Sequence, residues 1–165
     1  MNYHNITVDD MLNGDGLRTV LWVSGCMHHC RGCQNPQTWD EKSGIPFDEA
    51  AKEELFADLS RDYMDGVTFS GGDPLCPANR ETVGRLIAEI RDRFPQKTIW
   101  LYTGDLFESF RDTLPFLPLI DVIVDGPYVE ALRDVNLCWR GSKNQRVIDV
   151  KKTLATGKVV LWARN

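Results

Sequence analysis

Cys26, Cys30 and Cys33 lie in the stretch SGCMHHCRGCQ with the spacing CxxxCxxC, and they are three of the chain's five cysteines. Thiolates are soft ligands, and three of them on one short loop can hold three corners of an iron–sulfur cubane, leaving the fourth iron open to something other than protein. Zinc is the rival reading, because its structural sites close with four ligands, one of them often histidine, and His28 and His29 lie inside the loop. Zinc ligands usually come as two pairs far apart in sequence, so that the metal staples two segments together. Here three ligands crowd one loop. Cys76 and Cys138 are the only other thiols, each a small hydrophobe unless recruited as a remote fourth ligand.

The loop is set in a chain of 165 residues, read as one domain over 1–165 and long enough to bury a core without a metal or disulfide staple. A net charge of −5 argues against a nucleic-acid partner, which normally calls for a basic excess. The 42% apolar and 26% charged fractions are those of an ordinary globular protein. No apolar run approaches the ~20 residues of a membrane span, so no membrane partner is expected. The opening MNYHNITVDD lacks a basic segment followed by an apolar one, which predicts a cytoplasmic location. In that reducing setting, clustered thiols bind metal or do chemistry rather than pair.

Four short apolar segments rich in β-branched and aromatic residues predict strands: TVLWVS from Thr19, GVTFS from Gly66, TIWLYT from Thr98 and DVIVD from Asp121. Amphipathic stretches from Phe47 and from Asn79 predict helices, and DLFESFRDTL from Asp105 a weaker one. Near the end, RVIDV from Arg146 and KVVLW from Lys158 read as strands, with TLATG between them either a turn or one helical turn. Strand alternating with helix favours a mostly parallel sheet with right-handed crossovers, an α/β fold.

Each of the four strands runs into glycine: SGC, SGGDPL, YTGD and VDGPY. Parallel strands end on one side of their sheet, so these loops share a rim, where α/β folds place their ligands. One glycine merely turns a chain. Four in register beside three cysteines predict a site.

The cluster CMHHCRGC, preceded by NGDGLRTVLWVSG and followed by SGGDPL, resembles the radical S-adenosylmethionine (SAM) superfamily. With QNPQTW after the third cysteine and WRGSKNQRVIDV near the end, the chain is similar to the activating enzymes of glycyl-radical proteins, those of the anaerobic (class III) ribonucleotide reductase in particular. The resemblance runs from Asn13 to Trp162 and implies a partial (βα) barrel of the radical SAM type, with glycine-rich loops at the strand C-terminal ends. It assigns Cys26, Cys30 and Cys33 to a 4Fe-4S cluster whose open iron is chelated by SAM, and Ser70, Gly71, Gly72, Asp73 and Pro74 to the SAM amino group. Backbone carbonyls bared by glycine, with a carboxylate nearby, suit an ammonium. Asp73 also reads as a turn or cap residue ahead of the following helix.

Many superfamily members carry an aromatic residue, close to the adenine, at the position of Gly32, so adenine packing here is assigned to Tyr102, Thr103 or the segment Val124, Asp125, Gly126. Asp125 and Asp105, both at strand ends, are read as binding substrate or SAM ribose or as capping turns. NGDGLR departs from its relatives, which often carry proline where Asp15 stands. The activity implied is reductive cleavage of SAM and formation of a glycyl radical on the reductase large subunit, with flavodoxin or a similar reductant as electron donor. Activation of another glycyl-radical enzyme such as pyruvate formate-lyase, a modified-base rearrangement, an electron carrier with a fourth protein ligand, and a zinc-stabilised binding module are the alternatives.

Overall fold

Residues of even number on the central strands face one way and those of odd number the other, and this period-2 alternation organises the molecule. The computed structural model describes residues 1–163. Its strands are β1 (Asn2–Asp10), β2 (Arg18–Val23), β3 (Ile45–Pro46), β4 (Gly66–Gly71), β5 (Thr98–Tyr102), β6 (Val122–Asp125) and β7 (Arg146–Asp149). Its α-helices are α1 (Glu49–Leu59), α2 (Pro77–Arg93), α3 (Phe107–Phe110) and α4 (Val150–Thr156).

All seven strands form one sheet in the order β3-β1-β2-β4-β5-β6-β7. The four predicted strands are the adjacent parallel strands β2, β4, β5 and β6, so their C-terminal loops do share a rim. The flanking pairings β1 to β2, β1 to β3 and β6 to β7 are antiparallel, which makes the sheet mixed. It is an open sheet, with β3 at one end of the order and β7 at the other.

One face of the sheet is covered by helices. Leu21, Val23, Val67, Phe69, Ile99, Leu101 and Ile123 pack there against Leu55 and Leu59 of α1 and Val83, Leu86, Ile87 and Ile90 of α2, in one continuous apolar cluster. Helix α1 starts at Glu49, after the Asp48 carboxylate accepts from Ala51 N at 3.0 Å, and α2 starts on Pro77, whose missing N–H costs nothing in a first turn. The other face carries a smaller cluster of Trp100, Val122 and Val124 under Tyr102, Trp139, Val147 and Trp162. Beside it Arg18, fully buried, donates to Thr68 Oγ1 at 2.7 Å, to Thr98 Oγ1 at 2.9 Å and to three backbone carbonyls. Burial lowers its pKa to about 10, and its guanidinium lies 5.3 Å from the Trp100 ring centre.

Two expectations are corrected, and the open reading of TLATG resolves to a helix. KVVLW is not a strand: Leu161 makes one isolated bridge to Ile148, where two backbone bonds, Asp149 N to Val160 O and Trp162 N to Val147 O, lay the tail along β7. DLFESFRDTL shortens to the four-residue α3 because only Phe107 and Phe110 of its first turns reach the core. Between β7 and that tail lies α4, capped by the Asp149 side chain and ended by Gly157 in the left-handed region.

Candidate functional site

The cysteine loop leaves the end of β2 through backbone that winds left-handed at Gly25 (φ 96°), His29 (φ 46°) and Gly32 (φ 71°). Loops of this kind turn successive amides inward and make concavities that hold anions and iron–sulfur centres. Asn35 N donates to Cys33 Sγ at 3.3 Å. Burial pushes the Cys26 thiol up, while backbone amides of His28 and His29 pull it down. QNPQTW anchors the entry to the loop: Gly25 N donates to Thr38 O at 2.7 Å and Cys26 N to Trp39 O at 3.0 Å.

Cys26, Cys30 and Cys33 are free, half-buried, and line one cavity of about 550 Å³. Neither Cys76, which is buried, nor Cys138, which is exposed, lines it. Among the described residues the three sulfurs are not a group lying within 4.8 Å of one another, whereas zinc–sulfur bonds of about 2.3 Å would draw them to less than that. Three soft donors spread along a loop fit a cluster in which each thiolate holds its own iron.

The glycine-rich loop at the end of β4 packs on this loop backbone to backbone. Gly72 N donates to Val23 O at 2.8 Å and Asp73 N to Gly25 O at 2.7 Å. A Cβ on Gly71, which has φ 103°, would come within 2.7 Å of Val23 O, and one on Gly72 would run into Gly25 O, so neither position tolerates a side chain. Ser70, Gly71, Gly72 and Asp73 line the cavity; Pro74, buried behind them, does not.

Asp73, 3% exposed, is fully engaged within the protein. Its Oδ1 accepts from Leu75 N at 2.8 Å, and its Oδ2 accepts from Thr103 Oγ1 and Gly104 N, both at 3.0 Å, and lies 2.8 Å from His28 Nε2. That last bond is the main reason the His28 pKa is raised, and it commits His28 to Asp73. A Cβ on Gly104 would collide with the His28 ring. The carboxylate thus ties the cysteine loop, the glycine-rich loop and the end of β5 together, with Asp105 Oδ1 3.6 Å from His28 Nε2 at the margin.

The remaining predicted residues divide by strand parity. Tyr102 lines the cavity with Ser70 and Trp22, its hydroxyl buried and without a hydrogen-bond partner among the described residues; burial pushes that phenol up. Gly126 lines it too. Asp125 does not, because it shares the parity of Ile123 and turns to the helix side, where its carboxylate accepts from Phe107 N at 2.8 Å and from the Arg146 guanidinium. Gly32 also stands outside the cavity, where a Cβ would meet the Glu130 carboxylate at 2.7 Å. Of NGDGLR only Asn13 lines the cavity, its carbonyl accepting from Thr68 Oγ1 at 2.7 Å.

Two residues of the site were not anticipated from sequence. One is His28, read as a loop or zinc residue. The other is Asn79, 1% exposed, whose Nδ2 donates to Ser24 O at 2.7 Å and to Asp73 O at 2.9 Å and so clasps both loops from α2. Its signal was a buried asparagine in the first turn of an amphipathic helix.

Residues 12–148 match the family model described as a 4Fe-4S single cluster domain. The chain is 46% identical over 147 residues to the anaerobic ribonucleoside-triphosphate reductase-activating protein of Enterobacteria phage T4, covering 89% of this chain and 93% of that protein. It is 44% identical over 150 residues to the protein of that name from Escherichia coli K12, covering 89% and 97% of the two chains. For the one from Vibrio cholerae the identity is 42% over 148 residues, covering 88% and 96%.

Proposed function

The chain belongs to the family of anaerobic ribonucleoside-triphosphate reductase-activating proteins, with a 4Fe-4S single cluster domain, and we propose that it activates its reductase by radical SAM chemistry. In this reading Cys26, Cys30 and Cys33 hold the cluster and SAM takes the open iron. The observation that carries it is the meeting of three thiols, without a fourth, and a side-chain-free glycine loop on the walls of one cavity.

A cluster held by Cys26, Cys30 and Cys33 would supply the one electron needed for reductive cleavage of SAM to methionine, with the 5′-deoxyadenosyl group so released taking a hydrogen atom from a glycine Cα of the reductase large subunit. The protein's own residues prepare that event. Carbonyls of the Ser70–Gly72 backbone stand ready for the SAM ammonium, while Asp73, its acceptor capacity engaged, fixes the loop rather than the ligand. Holding donor and acceptor at fixed separation is an orientation effect of the kind worth up to ~7–11 kcal/mol. Tyr102 offers an aromatic wall where Gly32 offers none.

The fold this reading implies is a partial (βα) barrel, its open side facing the partner protein; flavodoxin or a similar reductant supplies the electron, and the setting is the cytoplasm. Against a closed zinc site stands the cavity wall itself, where neither Cys76 nor Cys138 joins the three thiols. Anaerobic reconstitution tests the reading: wild-type protein with a strong reductant should release 5′-deoxyadenosine from SAM, and Cys30→Ala should release none. Full cleavage by the variant would reject the assignment.

A further inference from the structure

The segment WRGSKNQR, characteristic of the sequence but without a role so far, belongs to the long excursion between β6 and β7 that forms one wall of the cavity. It is tightly pinned. The Gln145 side chain accepts from Gly141 N at 3.0 Å and Ser142 N at 3.1 Å and donates to Gly126 O at 3.0 Å, while the buried Ser142 hydroxyl accepts from Val129 N at 3.1 Å. Trp139 holds a left-handed backbone (φ 60°), uncommon for a bulky residue, with its ring edge-on to Trp100 at 5.0 Å.

What this architecture presents to the cavity is Arg140. The residue is half-buried, and among the described residues its guanidinium makes one hydrogen bond, from Nη1 to Gln145 O. Among the described residues no carboxylate lies within 4.0 Å of it, whereas Arg146, six positions on, bridges Asp125 and Glu108. The acidic groups on the cavity wall are taken elsewhere: Asp73 by its four donors, Asp134 by Asn136 and by Lys143 at 3.6 Å. A guanidinium on a cavity wall, with most of its donors free of protein partners and no carboxylate within reach, is placed to pair with an anion. That it persists in a chain of net charge −5 makes the missing counter-charge more telling.

We propose that Arg140 is a carboxylate-binding residue of this cavity. The inference rests on the radical SAM reading, which brings one carboxylate to the site, that of SAM itself, since a carboxylate that chelates metal through one oxygen keeps another for hydrogen bonds; an acidic side chain of the reductase is the other source that the test distinguishes. The planar fork of arginine pairs with a carboxylate bidentately, which lysine cannot reproduce.

The test uses full-length, cluster-loaded protein prepared without oxygen, as wild type, Arg140→Gln and Arg140→Lys, with SAM, decarboxylated SAM and the reductase large subunit as probes and thermal unfolding as the check on folding. Arg140→Gln should weaken one interaction about tenfold or more. If the carboxylate is that of SAM, the loss appears in the dissociation constant for SAM and is absent for decarboxylated SAM. If it is the partner's, SAM binding and partner-free SAM cleavage stay at wild-type values and the loss appears in KM for the reductase. Arg140→Lys keeps the charge and a donor for Gln145 O but loses the fork, so it should recover part of the loss and not all; it also decides the matter should the glutamine variant unfold. Constants for both variants within about twofold of wild type, or equal losses for SAM and decarboxylated SAM, would overturn the proposal. Wild-type protein that binds no SAM would overturn the radical SAM reading and this proposal with it, whereas normal wild-type SAM binding, with neither SAM affinity nor KM for the reductase changed by Arg140→Gln, overturns this proposal alone.

Discussion

The two faces of the central sheet are made from the same strands and do opposite work. On the helix side Leu21, Val67, Phe69, Ile99, Leu101 and Ile123 are each fully buried in one apolar cluster. On the other side the alternate residues of the same strands include Arg18, Trp22, Thr68, Ser70, Trp100 and Tyr102, polar or aromatic, alongside the buried Val20, Val122 and Val124; Arg18 donates to Thr68, and Trp22, Ser70 and Tyr102 line the cavity. Stability is concentrated on one face, which leaves the other free to carry groups chosen for chemistry. A one-residue difference in position decides which role a side chain takes.

Phe69 and Ser70 are the sharpest place to break that comparison. Phe69→Ala should cost about 3–5 kcal/mol in chemical denaturation, as a large core truncation does. Ser70→Ala, one residue on and facing the cavity, should cost under about 1 kcal/mol. Equal stability losses would mean the faces are not specialised.

The two aspartates at strand ends sharpen it further. Asp125→Asn leaves the Arg146 guanidinium facing an amide, with an expected loss of about 2–3 kcal/mol in thermal or denaturant unfolding and little change in SAM binding below the transition. Weakened SAM binding in a folded variant would return Asp125 to the cavity. For Asn79→Leu, which removes the clasp on Ser24 O and Asp73 O, about 1–3 kcal/mol is expected, together with lower iron retention after desalting; unchanged retention would show that the loops hold each other without it.

The smallest effect is the acid limb of stability on the helix side. Burial pushes the Asp121 carboxyl up, but hydrogen bonds from Lys151, Ile99 N and Arg91 outweigh it and leave the pKa below its ordinary value. The folded chain then binds fewer protons there than the unfolded one, so the stabilisation is present above about pH 4 and drains away as pH falls through the folded value. Asp121→Asn should flatten that part of a denaturation-midpoint profile against pH.

Much of this was legible in the sequence because the central strands are buried on both faces and read as apolar runs ending in glycine. That pattern located the rim, the thiols and the glycine loop. What escaped notice follows from physics the pattern does not carry. Strand β1, a flanking strand with only Tyr3 and Ile6 buried, resembles a polar leader. KVVLW has strand composition, yet its few bonds to β7 are all the ladder it forms. Asp125 reads from sequence as a ligand group or a turn cap, because a strand end is easy to see and its parity, which turns the carboxylate to Phe107 N, is not. Roles for His28 and Asn79 depend on partners 45 and 55 positions away, Asp73 and Ser24, which no local spacing reveals.

The electron paramagnetic resonance spectrum of the reduced, anaerobically reconstituted protein, recorded before and after SAM is added, tests the central claim most directly. A cluster held by Cys26, Cys30 and Cys33 with one iron open should give a 4Fe-4S signal that shifts when SAM coordinates, and loses that signal in Cys30→Ala. A signal that SAM leaves unaltered would mean that the protein fills every iron itself, and would contradict the account.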